Sequence, residues 1–175
     1  GAPLWSDGAI KQRWFALPPD APITFSATDA WDFPEGTVLV KHFELPHAEL
    51  GTWRVETRVF LREESDWAGF TYRWNAAQDD ADLMADGLVE DICLDNGCGS
   101  SVSWTYPSPT ECFSCHTDAA GRVLGLRAPQ LNHVGSGSEN QLRTLNCMKL
   151  FDTDIGVPTQ FREMPGLSTP GASTH

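Results

Sequence analysis

The stretch Trp53-Arg-Val-Glu-Thr-Arg-Val-Phe-Leu-Arg62 decides the fold together with the two segments after it, a polar Glu63-Glu-Ser-Asp66 and then Trp67-Ala-Gly-Phe-Thr-Tyr-Arg-Trp74. Side chains of a strand alternate between faces with a period of two. Trp53, Val55, Thr57, Val59 and Leu61 therefore fall on one face of a half-buried strand. Ala68, Phe70, Tyr72 and Trp74 alternate down a partner, and the four polar residues between make the turn. The expectation is an antiparallel hairpin with an aromatic face.

Working outward, Thr37-Val-Leu-Val-Lys-His-Phe-Glu-Leu45 is a further β-rich run entered by the turn Pro34-Glu-Gly36. Gln78 to Gly87 is acidic and alanine-rich and reads as a short helix or loop. Val102 to Tyr106 reads as one more strand. Beyond Pro109 the character changes. A helix or helical turn is expected to carry Cys112 to His116, and Glu139 to Phe151 has helical spacing through Leu142, Leu145, Met148 and Phe151. The fold class expected is β-rich α+β: an antiparallel, sandwich-like β-body over 1–105, a small helical region over 106–157 and an extended Pro/Gly/Ser/Thr-rich tail over 158–175, all in a single domain.

Length and composition bound the possibilities. A chain of 175 residues with 41% hydrophobic and 21% charged residues has the make-up of a globular domain. No apolar run approaches the length that spans a bilayer. The formal net charge of -12 argues against nucleic acid and anionic lipid as partners, since both repel an acidic surface. No leader peptide is visible, and the opening Gly1-Ala-Pro-Leu-Trp5 reads as the edge of an excised domain.

The chemistry is concentrated in Cys112-Phe-Ser-Cys-His116, a C-x-x-C-H pattern that matches c-type haem attachment. Two thiols one helical turn apart can add to the two vinyl groups of one porphyrin. The adjacent His116 supplies the proximal iron ligand. Cys112, Cys115 and His116 are thus the expected cofactor residues, with one covalent haem c. Thioether attachment takes place outside the bacterial cytoplasm, which implies a secreted or periplasmic protein. Cys93 and Cys98 enclose Leu-Asp-Asn-Gly, a ready turn, and could form a disulfide; Cys98 with Cys147 is the next possibility.

The competing metal is zinc, because Cys93, Cys98, Cys112 and Cys115 together have near-ribbon spacing. That would make the chain a zinc-stabilised β-module, for instance one that binds carbohydrate. For the distal iron position the first candidate is His42, in an apolar strand, and the second is Met164, placed like the loop methionine of small cytochromes c. His47, His133, Met84, Met148 and Lys41 are further candidates, with Met148 fitting a core position on a helix face. Asp79, Asp80, Asp82 and Asp86 do not have calcium-loop spacing and read as a solvated loop.

The order of motifs carries a resemblance. Leu4-Trp-Ser-Asp-Gly-Ala9 is followed by Phe33-Pro-Glu-Gly-Thr-Val-Leu-Val-Lys-His-Phe43, Glu56-Thr-Arg58 and Tyr72-Arg-Trp-Asn75. Then come Trp104-Thr-Tyr-Pro-Ser-Pro-Thr-Glu-Cys112 with its haem pattern, Leu124-Gly125, Gln130-Leu-Asn132 and Asn140-Gln-Leu142. In this order the chain resembles an uncharacterised family of secreted bacterial c-type haem domains, monohaem or dihaem cytochromes. Such domains are often joined to carbohydrate-binding modules or sugar dehydrogenase domains. The resemblance implies export, one covalent haem, single-electron transfer to other redox proteins or domains, and a possible link to polysaccharide through neighbouring domains. It also places the strand of Lys41 and His42 beside the haem. An enzyme or sensor with an open sixth iron site, such as a peroxidase, is the alternative function.

Overall fold

The computed structural model describes residues 6–135 and 137–164. Residues 1–5, Ser136 and residues 165–175 lie outside it, and with them Leu4-Trp5 of the first motif, Pro165 and most of the expected tail. The described chain is mostly antiparallel β-sheet with little helix. It forms two compact units, one of residues 6–18 and 35–115 and the other of residues 19–34 and 116–164. The division differs from the one read from sequence: residues 106–115 stay with the β unit, and 19–34 join the C-terminal one.

The β unit contains a five-stranded antiparallel meander: β1 (Ile10–Ala16), β2 (Val38–His47), β3 (Gly51–Arg62), β4 (Trp67–Trp74) and β5 (Ala81–Met84). A hairpin of β6 (Leu88–Cys93) and β7 (Ser101–Tyr106) comes next. β5 occupies the stretch expected to be helix or loop. Its alanine and acidic residues suit a helix in isolation, but the Asn75 turn returns the chain onto β4, pairing Tyr72 with Leu83 and Trp74 with Ala81. In that turn the Asn75 N–H donates to the Asp80 carbonyl (2.9 Å) and the Asn75 side chain to Asp79 (2.9 Å).

The hairpin covers one face of the sheet. Phe43, Leu45 and Val55 pack there with Ile92, Trp104 and Tyr106, and the Phe43 and Trp104 rings meet edge-to-face at 5.4 Å. Glu56 is fully buried on this face. Its carboxylate accepts two bonds from Arg58 (2.6 and 2.8 Å) and one from the Trp104 indole N–H (3.1 Å), the pairing that a buried charge requires.

A β-bulge corrects the expected face of β3. The register shifts between Phe43 and Glu44, leaving Val55 as the extra residue on the partner strand. Trp53 and Val55 pack with the core beneath the hairpin, but beyond the bulge Glu56, Arg58 and Phe60 continue that face. Thr57, Val59 and Leu61 project to the opposite face, where they pair with Tyr72, Phe70 and Ala68.

The C-terminal unit is held by an aromatic cluster and by one buried amide. Phe25 and Trp31 pack on Phe151 at 5.1 and 5.0 Å, and Phe161 closes on Phe25 at 5.3 Å. Short helices α1 (Ala128–Leu131) and α2 (Gln141–Cys147) flank Asn132. The Asn132 amide donates to the carbonyls of Pro158 (3.0 Å) and Phe161 (2.8 Å) and accepts from Asn140 (3.0 Å). α2 is shorter than its periodicity suggested. Met148, expected in the core, caps its end and is 62% exposed.

Candidate functional site

Ser108-Pro-Thr-Glu111 opens the segment that carries the two cysteines, and it is a capping box. The Glu111 carboxylate accepts from the Ser108 N–H (2.7 Å), and the Ser108 hydroxyl accepts from the Glu111 N–H (3.4 Å). The Ser108 N–H and hydroxyl hold the Glu111 carboxyl below its ordinary pKa. A single 3₁₀ turn, Glu111–Ser114, then delivers Cys112 and Cys115. This box was legible in the sequence as Ser-x-x-Glu ahead of the cysteines, though the pattern alone did not single it out.

Two glycines receive the turn. A Cβ on Gly69 of β4 would lie 2.9 Å from the Cys112 sulfur, and one on Gly87 would lie 2.7 Å from the Glu111 carboxylate. Phe113 packs on Phe60 at 5.8 Å. Cys112 is half-buried and Cys115 exposed, and neither is in a disulfide. Burial pushes the Cys112 thiol pKa up, with Arg58 opposing and Glu56 adding to the rise. Its S–H points to the Ser108 carbonyl at 3.6 Å. Cys112 is therefore a protonated thiol seated against the hairpin face of the sheet.

His116 begins the C-terminal run of the second unit. Its Nδ1 lies 2.5 Å from the Arg122 carbonyl, which can only accept, so Nδ1 carries a proton. The Arg122 guanidinium returns to the His116 carbonyl (3.0 Å) and to Asp118 (2.9 Å). Gly121 allows the loop to close, since a Cβ there would lie 2.2 Å from that of Ala30. A metal-bound imidazole commonly has its second nitrogen tied to a carbonyl, which fixes tautomer and ring orientation. Two thiols on one turn, followed in sequence by an imidazole, are the donor set that a covalent haem would require.

Cys93 and Cys98 are joined in a disulfide, with Cα atoms 5.2 Å apart. The four-thiol zinc set is consequently not assembled. Among the described residues no group of three or more His, Cys, Asp or Glu side chains converges as a metal site.

The distal candidates are divided between the units: Lys41, His42 and His47 belong to the β unit, His133 and Met164 to the other. His42 pairs with Thr57 across the strands and projects with it from the face opposite the hairpin. There its Nδ1 meets the Thr57 hydroxyl (2.7 Å) and its Nε2 the Glu44 carboxylate (3.5 Å), between Trp14 and Trp74. A groove of about 330 Å³ opens beside it. Cys112 covers the other face, over Gly69. Lys41, one residue before His42, shares the face of Cys112. His47 stacks on Trp53 at 5.6 Å and accepts from two backbone N–H groups of the β2–β3 turn. His133 pairs with the Gln141 amide at 3.0 Å. Met164, 41% exposed, is tied by its N–H to the Pro129 carbonyl (2.8 Å) in the same unit as His116.

No protein-family model, curated protein or solved structure matches the chain.

Proposed function

We propose that the chain is a c-type cytochrome domain of a secreted or periplasmic bacterial redox protein. It carries one haem through thioethers at Cys112 and Cys115 with His116 as proximal ligand. A haem held in this way supplies a one-electron carrier, ferric in one state and ferrous in the other. The single observation that carries the proposal is the His116–Arg122 hydrogen bond, which fixes Nδ1 as a donor and orients an imidazole that follows directly after two thiols at thioether spacing. The Cys93–Cys98 disulfide supports an oxidising compartment.

For the sixth position we take Met164. The imidazole of His42 projects from the sheet face that Cys112 does not occupy, and Thr57 and Glu44 already engage it. An exposed thioether has neither commitment.

Expression with a thioether-forming haem maturation system tests the proposal. The expected product is red and heavier by one haem, and it stays so after acid–acetone extraction. Replacing both Cys112 and Cys115 by Ala abolishes attachment. His116→Ala leaves the haem attached but destroys the low-spin spectrum. Met164→Ala opens the iron to carbon monoxide, whereas His42→Ala does not. A colourless protein after successful maturation of a control cytochrome would sink the proposal. A wild-type protein that binds carbon monoxide readily would favour a haem enzyme or sensor instead.

A further inference from the structure

On the hairpin face of the sheet one row of facing residues carries like charges side by side. Arg13 of β1, Lys41 of β2 and Arg58 of β3 are direct cross-strand partners. Lys11 adds a fourth cation two residues along β1, facing Phe43. The chain has only 12 lysines and arginines against 24 acidic residues, yet four of its cations gather here. Directly opposed like charges destabilise a sheet. Glu56 faces Phe43 in the adjacent row and takes up Arg58 through its two hydrogen bonds. No ion pair joins Arg13 or Lys41 among the described residues. Both the Lys41 ammonium and the Arg58 guanidinium rest over the Phe43 ring, 4.8 Å from its centre. Burial, followed by Arg13, Arg58 and Lys11, lowers the pKa of Lys41 to about 8, with Glu56 opposing. Lys41 is thus a partly desolvated cation with cations of β1 and β3 on either side.

The next row on the same face is apolar: Phe15, Leu39, Phe60 and then Gly69, the residue that Cys112 covers. From Gly69 to Lys41 the sheet spans about 10 Å across the strands and about 7 Å along them. That is the scale of a porphyrin. The two carboxylates of a haem lie on the ring edge across from its thioether edge. Phe60 is already covered by Trp67 and Phe113, whereas Leu39 and Phe15 are half-buried, so a ring bonded to Cys112 can reach over Leu39 and Phe15 and bring its carboxylate edge to the adjacent cations.

We propose that Lys41 and Arg13, with Lys11, form the site that binds the haem propionates. This rests on the haem attachment proposed above. The site neutralises the two carboxylates, and the occupant in turn relieves the repulsion along the row. Lys41 and Arg13 also raise the reduction potential, because a nearby cation favours the form of the iron with one more electron.

The experiment uses the haem-loaded protein and reads reduction potential and the propionate bending modes in the resonance Raman spectrum. Arg13→Gln, Lys41→Gln and their combination should lower the potential and shift the propionate modes, the double variant most. Lys41→Arg, which keeps the charge, should restore the wild-type values. Arg54→Gln, on the opposite face, is the control and should change the modes not at all. If the double variant loses its fold by circular dichroism, the exposed Arg13→Gln alone decides. Unshifted propionate modes in a loaded variant overturn the site, as does a potential change no larger than that of Arg54→Gln. Loss of the low-spin spectrum in Lys41→Arg would place Lys41 on the iron and equally overturn it. Absence of haem from the wild type is a separate result, and it defeats the attachment rather than the propionate site.

Discussion

Gly69 shows how a single residue sets the position of a thiol. Only a hydrogen fits where Cys112 descends onto β4, since an added methyl group would stand 2.9 Å from its sulfur. Gly69→Ala must displace either the strand or the turn, an overpacking cost of about 1–3 kcal/mol. Urea unfolding of the haem-free protein should show that loss. Mass analysis of the loaded protein should show species bonded through Cys115 alone. Lys41 illustrates the opposite relation between residue and stability. A partly buried cation among cations weakens the haem-free sheet, so Lys41→Met should raise its thermal midpoint while leaving the fold intact by circular dichroism. A lowered midpoint would mean that the ammonium is stabilised in the sheet despite its neighbours. The family resemblance placed the strand of Lys41 and His42 beside the cofactor. Which of the two meets the face of Cys112 depends on the register, and adjacent residues of a strand point to opposite sides.

Among elements, the 3₁₀ turn that carries the cysteines depends on its capping box. Ser108→Ala removes one cap and should cost about 0.5–1 kcal/mol in denaturant unfolding. The Glu111 half of the box has a definite pH sign. The folded protein holds this carboxyl below its usual pKa of 4.5, so its contribution is complete above that value and is lost as pH falls through the lowered one. Glu111→Gln should therefore remove part of the acid sensitivity of the β unit; an unchanged stability-versus-pH curve between pH 5 and 3 would count against the cap. The strands β3, β4 and β7 were legible because apolar or β-branched residues alternate in them over at least five positions, and β2 because it is a β-rich run behind a turn. β5 was not. A four-residue edge strand of Ala, Asp, Leu and Met has no period of its own, and pairing with β4 is what extends it. The bulge at Phe43/Glu44 was equally hidden, because inserting one residue leaves each half of β3 with an ordinary alternation.

At the scale of the whole molecule, charge controls encounter with partners. With a net charge of -12, the haem-loaded protein should exchange electrons faster with cationic than with anionic small redox reagents, by tenfold or more at low salt. The difference should collapse as ionic strength rises past the point where the Debye length falls below about 8 Å. Stopped-flow reduction across a salt series measures it directly; equal rates for both reagents would show that the acidic surface does not reach the electron-exchange site. Among the described residues no helix is long and apolar enough to cross a membrane.

The amino-acid sequence by itself determined the antiparallel β character, through side-chain period. For the site it supplied an expectation, two thiols and an imidazole at thioether spacing, on which the proposed haem attachment rests. The tertiary structure alone decided which face of the sheet receives Cys112, that His42 lies on the other face, and that Arg13, Lys41 and Arg58 form one row. It also decided that residues 19–34 pack with the chain beyond His116. Alternation fixes which residues of one strand share a side. Only pairing between strands, interrupted by a bulge that switches the side, fixes which residues of different strands come to share it.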